Sequence, residues 1–169
     1  MNQSAQIDPR TLLWIKQEVA ESLTAVRQAL EAFGEQNDAG QLPACADGLD
    51  KIRGALEMVE IAGGVALARE MRDVALALAA DTIELKKDAN EVLMRGVIQL
   101  PAYLDHLYHG NPDVPLVLLP ILNDLRAVQN KQLLTEGAFF FTDLAVRKPS
   151  LIDRSGEAAT WDLPTMAKK

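Results

Sequence analysis

One cysteine, two histidines and few aromatic residues leave this chain of 169 residues short of the groups that many enzymes depend on. A lone Cys45 cannot close an internal disulfide or supply a thiolate metal set. Aromatic residues make up only 5 % of the chain. Val, Ile, Thr and Tyr do not gather into the alternating runs that mark strands, which argues against a β-rich fold. Basic residues are outnumbered, 17 Lys and Arg against 24 Asp and Glu, for a formal charge of -7 and an isoelectric point near 4.8. Binding to a phosphate backbone needs a clustered basic face, so nucleic acid is excluded as a partner. No apolar run reaches the roughly eighteen residues a membrane span requires, and the longest, VPLVLLPIL, contains two prolines. The N-terminus does not join a basic start to an apolar core as a secretory signal does. The expectation is a soluble, cytoplasmic chain with no membrane insertion. No Ser, His and Asp arrangement, phosphate-cradling glycine loop or thiol nucleophile is present, so the isolated domain is not expected to be an enzyme or to need a cofactor.

What the chain does have is aliphatic residues at helical spacing. Hydrophobic residues are 49 % of the total, with Ala and Leu dominant, and a chain of this length supports one core. Asp8-Pro9 supplies an N-cap and a first-turn proline, after which Leu12, Ile15, Val19, Leu23, Val26, Leu30 and Phe33 form one stripe. Gly34 and the run NDAG interrupt it. Pro43 restarts a helix with apolar positions at Cys45, Leu49, Ile52, Leu56 and Val59, which the spacing ends at Gly63-Gly64. A third helix carries Val65, Ala68, Met71, Val74, Ala75 and Leu78. A fourth carries Val92, Leu93, Gly96, Val97, Leu100, Leu104 and Leu107, with a kink or break expected near Val97 to Leu100 because Pro101 removes a backbone donor. Gly110-Asn111-Pro112 should end it. A fifth begins around Pro115 and holds Leu119, Leu122 and Leu125, with Pro120 expected to distort it.

Short connections favour an all-α, up-and-down four-helix bundle with an additional C-terminal helix. The apolar run LLTEGAFFFTDL should then fold back across the bundle. Phe139 to Phe141 fit either a plug over one end of the core or a partner-binding strip, since three successive aromatics cannot all face inward. The domain reading is an N-terminal extension over 1–8, a helical bundle over 9–145, and a linker or disordered tail over 146–169.

The second helix carries the informative stretch, GLDKIRGALEMVEIAGG. With its apolar stripe turned inward, Asp50 faces outward, and Arg53, Gly54 and Glu57 share its face at offsets of three, four and seven. A mid-helix glycine costs about 1 kcal/mol relative to alanine, so an ordinary surface helix would gain by replacing Gly54. A plain structural role for the charges is a pair of surface ion pairs, Asp50-Arg53 and Asp47-Lys51, each worth about 0.3–0.5 kcal/mol. Asp47 and Glu57 lie near the same face, but a solvated helix surface holds Mg2+ weakly, and no metal site is expected there. In the fourth helix His106 and His109 precede Gly110 as His-x-x-His-Gly. Helix C-capping is the simpler role, because Asn111-Pro112 follows and no third metal ligand of suitable spacing is present.

The run DKIRG on a second helix, after a long first one, resembles the histidine phosphotransfer (Hpt) domain, whose signature is His-x-x-Lys-Gly on the second helix of a four-helix bundle. On that resemblance Arg53 stands for the lysine that offers charge to the phosphoryl group, and Gly54 for the glycine that clears space for a partner. Asp50 stands where the phosphoacceptor histidine would be. The second glycine, Gly63, comes later than in most Hpt domains.

The runs IRGALEMVEIAGG, LPAYLDHL and VPLVLLPILNDLRA, followed by GAFFFTDL, narrow the likeness. Over residues 12 to 145 the chain is similar to the N-terminal domain of ChpA/PilL-type chemosensory histidine kinases, which control type IV pili and twitching motility. It is also similar to the FimL-type pilus regulators, whose Hpt-like domain lacks the acceptor. The resemblance implies a pseudo-Hpt interaction domain that docks partner proteins through Asp50, Arg53, Gly54 and Glu57 and has no catalytic residue. The implied partners are response regulators and pilus regulatory or polar hub proteins. The alternatives are a working phosphorelay domain of a larger kinase, using His106 or an aspartate, and a structural bundle that forms homodimers.

Overall fold

The computed structural model describes residues 7–138. Phe139 to Phe141, the expected tail and most of the N-terminal extension lie outside the described residues. Within them five α-helices account for the architecture: α1 Pro9–Gln36, α2 Leu42–Met58, α3 Ala62–Ala79, α4 Lys86–Tyr108 and α5 Leu119–Ala127. A 3-10 turn, Ala39–Gln41, precedes α2, and another, Pro115–Leu118, leads into α5. No strand occurs among the described residues. The protein is an all-α helical bundle.

Helix α1 begins where the sequence reading placed it. The Asp8 carboxylate accepts from the Arg10 N–H at 3.1 Å, and Pro9 fills the first turn. Gly34 does not stop the helix, which continues to Gln36 and ends on Asn37 in the left-handed region. All seven residues of the predicted α1 stripe are buried, with Ala29 added to them. The stripes of α2 to α5 are buried in the same way except for Val59, Val65 and Leu119, which stand at helix ends and are half-buried.

Packing follows from these stripes. Helix α1 lies against α2 and α4, and α3 lies against the same two, so the four form a square with α1 and α3 on one diagonal. With short links between them, this is the up-and-down arrangement. Helix α5 covers the α3 and α4 side.

Of the kink or break expected near Val97 to Leu100, the break does not occur: helix α4 is continuous through Pro101 from Lys86 to Tyr108. The expectation for Pro120 is corrected. Pro120 does not distort α5 from within. It sits in the first turn, where a missing N–H costs no intrahelical bond.

The turn between α2 and α3 is also not where the glycines suggested. Helix α2 stops at Met58, and Glu60, with φ 59°, takes the left-handed position. Its N–H donates to the Glu57 carbonyl at 3.1 Å, and the Ile61 N–H donates to the Leu56 carbonyl at 3.1 Å. This is a Schellman closure, with the fully buried Ile61 and Leu56 as its apolar contact. Gly63 and Gly64 instead open α3.

Candidate functional site

Asp50, Arg53, Gly54 and Glu57 do share one face of α2, as their spacing requires. Arg53 Nε donates to Asp50 Oδ1 at 2.9 Å, and its Nη1 donates to Glu57 Oε2 at 2.6 Å. The second surface pair is a correction: Asp47 and Lys51 are both exposed, and no ion pair joins them. On an exposed surface the entropy of holding two long side chains offsets most of such a contact.

Asp50 is less free than an outward-facing residue would be. Arg72, from α3, donates from Nη1 to Asp50 Oδ1 at 2.8 Å. Two guanidiniums from two helices therefore converge on one carboxylate oxygen. The hydrogen bond from Arg72, then that from Arg53, hold the Asp50 carboxyl below its ordinary range. Arg72 and Arg53 are in turn pushed upward, each chiefly by its bond to Asp50.

The array continues away from α2. Arg72 Nη2 donates to Asp73 Oδ1 at 3.0 Å, and Lys131 Nζ reaches Asp73 Oδ2 at 3.0 Å and Glu70 Oε2 at 3.3 Å. Arg126 of α5 donates to Glu70 Oε1 at 2.6 Å. Glu70 is buried, so this pair ties α5 to α3. Burial pushes the Asp73 carboxyl up, but the bonds from Lys131 and Arg72 outweigh it and hold the group below its ordinary value.

Gly54 differs from the other helix glycines. A Cβ built at Gly54 meets nothing within 4 Å, whereas one at Gly63 collides with Tyr103 Oη at 2.5 Å and Asp113 Oδ1 at 2.9 Å. Internal packing therefore requires glycine at 63 and does not require it at 54.

Arg72 was missed from the sequence. The spacing within α2 shows which of its own residues share a face, but not which residue of α3 packs against Asp50.

The histidines stand apart from this site. Both are exposed at the C-terminal end of α4. Gly110, with φ 89°, donates its N–H to the Leu107 carbonyl at 3.0 Å, and Asn111 Nδ2 donates to the His106 carbonyl at 2.9 Å. The expected C-cap is therefore present. Cys45 is buried and its thiol is pushed up to about 12 by that burial, away from nucleophilic use. Among the described residues no group of three or more His, Cys, Asp or Glu is placed to hold a metal ion. No helix among them is long and apolar enough to cross a membrane.

An all-α bundle with a cross-helix ion-pair array on its α2–α3 face is the class the geometry defines. The scaffold protein FimL of Pseudomonas aeruginosa is 26 % identical to this chain over 140 residues, 82 % of this chain and 25 % of FimL. The chain thus spans about a quarter of the length of the curated relative it matches. No family model and no solved structure matches.

Proposed function

We propose that this domain is a non-catalytic, phosphotransfer-like docking module of a type IV pilus chemosensory signalling protein, binding partner proteins through its α2–α3 face rather than carrying phosphate. The observation that carries the reading is Gly54. Its helix would be more stable with alanine by about 1 kcal/mol, and no neighbour in the fold excludes the extra carbon. A glycine that the fold does not need, on an accessible face beside a fixed charge array, fits close approach by another molecule. Asp50 adds to this: a carboxylate held by two arginines, with no metal-binding acid cluster around it among the described residues, is a poor phosphoryl acceptor.

Likeness to a scaffold protein supports a role in holding proteins together. The Hpt-type signature in DKIRG supports the finer reading of a degenerate phosphotransfer domain, with response regulators and pilus regulatory or polar hub proteins as the partners to try. The test is capture of those proteins by the full chain and by Gly54→Arg. The variant should bind at least tenfold more weakly while keeping its helical circular dichroism. Normal binding by every partner of the wild type would place the docking surface elsewhere.

A further inference from the structure

We propose that Arg53 and Arg72 form a preorganised oxyanion site that Asp50 keeps filled with its own carboxylate, so that the α2–α3 face carries a built-in substitute for a bound phosphoryl group. The inference deepens the docking reading and rests on Asp50 lying at the centre of that face.

Convergence comes first. Arg53 Nε and Arg72 Nη1 approach the same atom, Asp50 Oδ1, at 2.9 and 2.8 Å. Chance surface pairs seldom bring guanidiniums from two helices onto one oxygen, since two like charges so close must be held there. Each guanidinium has a second carboxylate to hold it: Glu57 on Arg53 at 2.6 Å, and Asp73 on Arg72 at 3.0 Å through Nη2 and 3.3 Å through Nε. Asp73 is itself held by Lys131 at 3.0 Å. Removing the Asp50 carboxylate therefore leaves both guanidiniums anchored and aimed at the vacated position.

Access and chemistry agree with this. The Asp50 side chain is 48 % exposed while those of Arg53 and Arg72 are 23 % and 26 % exposed, so the donors are set back and the anion position opens to solvent. Guanidinium donors in a fixed arrangement match the oxygens of carboxylate and phosphate. In the native chain Asp50 stays ionised and fills the place, so free phosphate finds no vacancy and the charge is present without any kinase.

The experiment is thermal unfolding of the full chain, wild type and Asp50→Ala, in inorganic phosphate against chloride at matched ionic strength. Phosphate should raise the midpoint of Asp50→Ala saturably and by several degrees more than that of the wild type, whose response measures general salt effects. Adding Arg72→Gln to Asp50→Ala should weaken the apparent phosphate affinity about tenfold or more, the loss of one charge-assisted contact. A folded Asp50→Ala that responds no more than wild type overturns the proposal, as does a response that persists without Arg72. Should Asp50→Ala fail to fold even in phosphate, Asp50→Ser, which retains a small polar group, is read by the same criteria. The anion titration involves no partner, so it can fail while the Gly54→Arg result stands, and the converse holds.

Discussion

Asp113, in the link between α4 and α5, caps the start of α3 at Gly63: its Oδ1 accepts from the Gly63 N–H at 3.2 Å and its Oδ2 from the Ala62 N–H at 2.6 Å. Tyr103 of α4 donates its hydroxyl to the same carboxylate. Burial, then the bond to Asp113, pushes the Tyr103 hydroxyl pKa upward. One side chain thus satisfies the open end of α3 and fixes the long link to the core of the bundle. Asp113→Ala is expected to lower stability by about 1–2 kcal/mol, the usual cost of losing a cap, measured by urea unfolding. Gly63→Ala should cost about 1–3 kcal/mol by forcing the Tyr103 ring or α3 to move. Wild-type stability in both variants would show that this junction contributes nothing.

Glu60 is the counter-case, a position whose backbone suits glycine and does not have it. A residue with a side chain pays roughly 1 kcal/mol or more in the left-handed region, and Glu60 lies there with φ 59°. Glu60→Gly is expected to raise stability by about 0.5–1 kcal/mol without changing the bundle. Chemical denaturation checks this, and a destabilised variant would mean that the Glu60 side chain has a role in the native state.

The same residue marks the boundary between what the sequence made legible and what it hid. The four long stripes were readable because apolar residues recur every three or four positions and the bundle buries each stripe on two neighbours. The caps at Asp8 and Gly110 were readable because their residue types have few other uses at those places. The α2–α3 turn was not, since Glu60 took a conformation normally assigned to glycine while Gly63 and Gly64 were needed for close packing and for the α3 start. Arg72 was hidden for another reason: a cross-helix partner depends on how two helices pack, which the period of either helix alone does not show. Asp50, Arg53, Gly54 and Glu57 needed only the period of one helix and so were placed together correctly. Their use as a docking face is a separate matter, which Gly54 tests.

Gly54→Ala separates stability from binding. A methyl there meets no described atom within 4 Å and removes the backbone freedom of glycine from the unfolded chain. Stability is expected to rise by about 0.5–1 kcal/mol. If the face is a docking surface, capture of a partner should weaken even as the fold gains, a trade that an ordinary surface helix does not show. Unchanged capture together with the gain in stability would mean that nothing approaches α2 closely at this point.

Acidification provides the last test. The hydrogen bonds from Arg72 and then Arg53 hold Asp50 below its ordinary value of 3.8, and Lys16, chiefly through its bond at 2.6 Å, does the same for Asp105 between α1 and α4. Burial raises Asp73, yet Lys131 and Arg72 bring it below that value too. For each group the unfolded chain takes up a proton at a higher pH than the native one, so in that interval the unfolded state binds more protons and acid favours unfolding. The stabilisation is fully present above the ordinary carboxylate range and is lost as pH falls through the lowered native values. Urea unfolding should give a plateau from about pH 7 to 5 and a decline below about pH 4. Asp50→Asn should flatten part of that decline, because its amide no longer takes up a proton in either state. Parallel curves for wild type and Asp50→Asn would show that the two arginines do not favour the ionised carboxylate, and the oxyanion site built on them would lose its electrostatic basis.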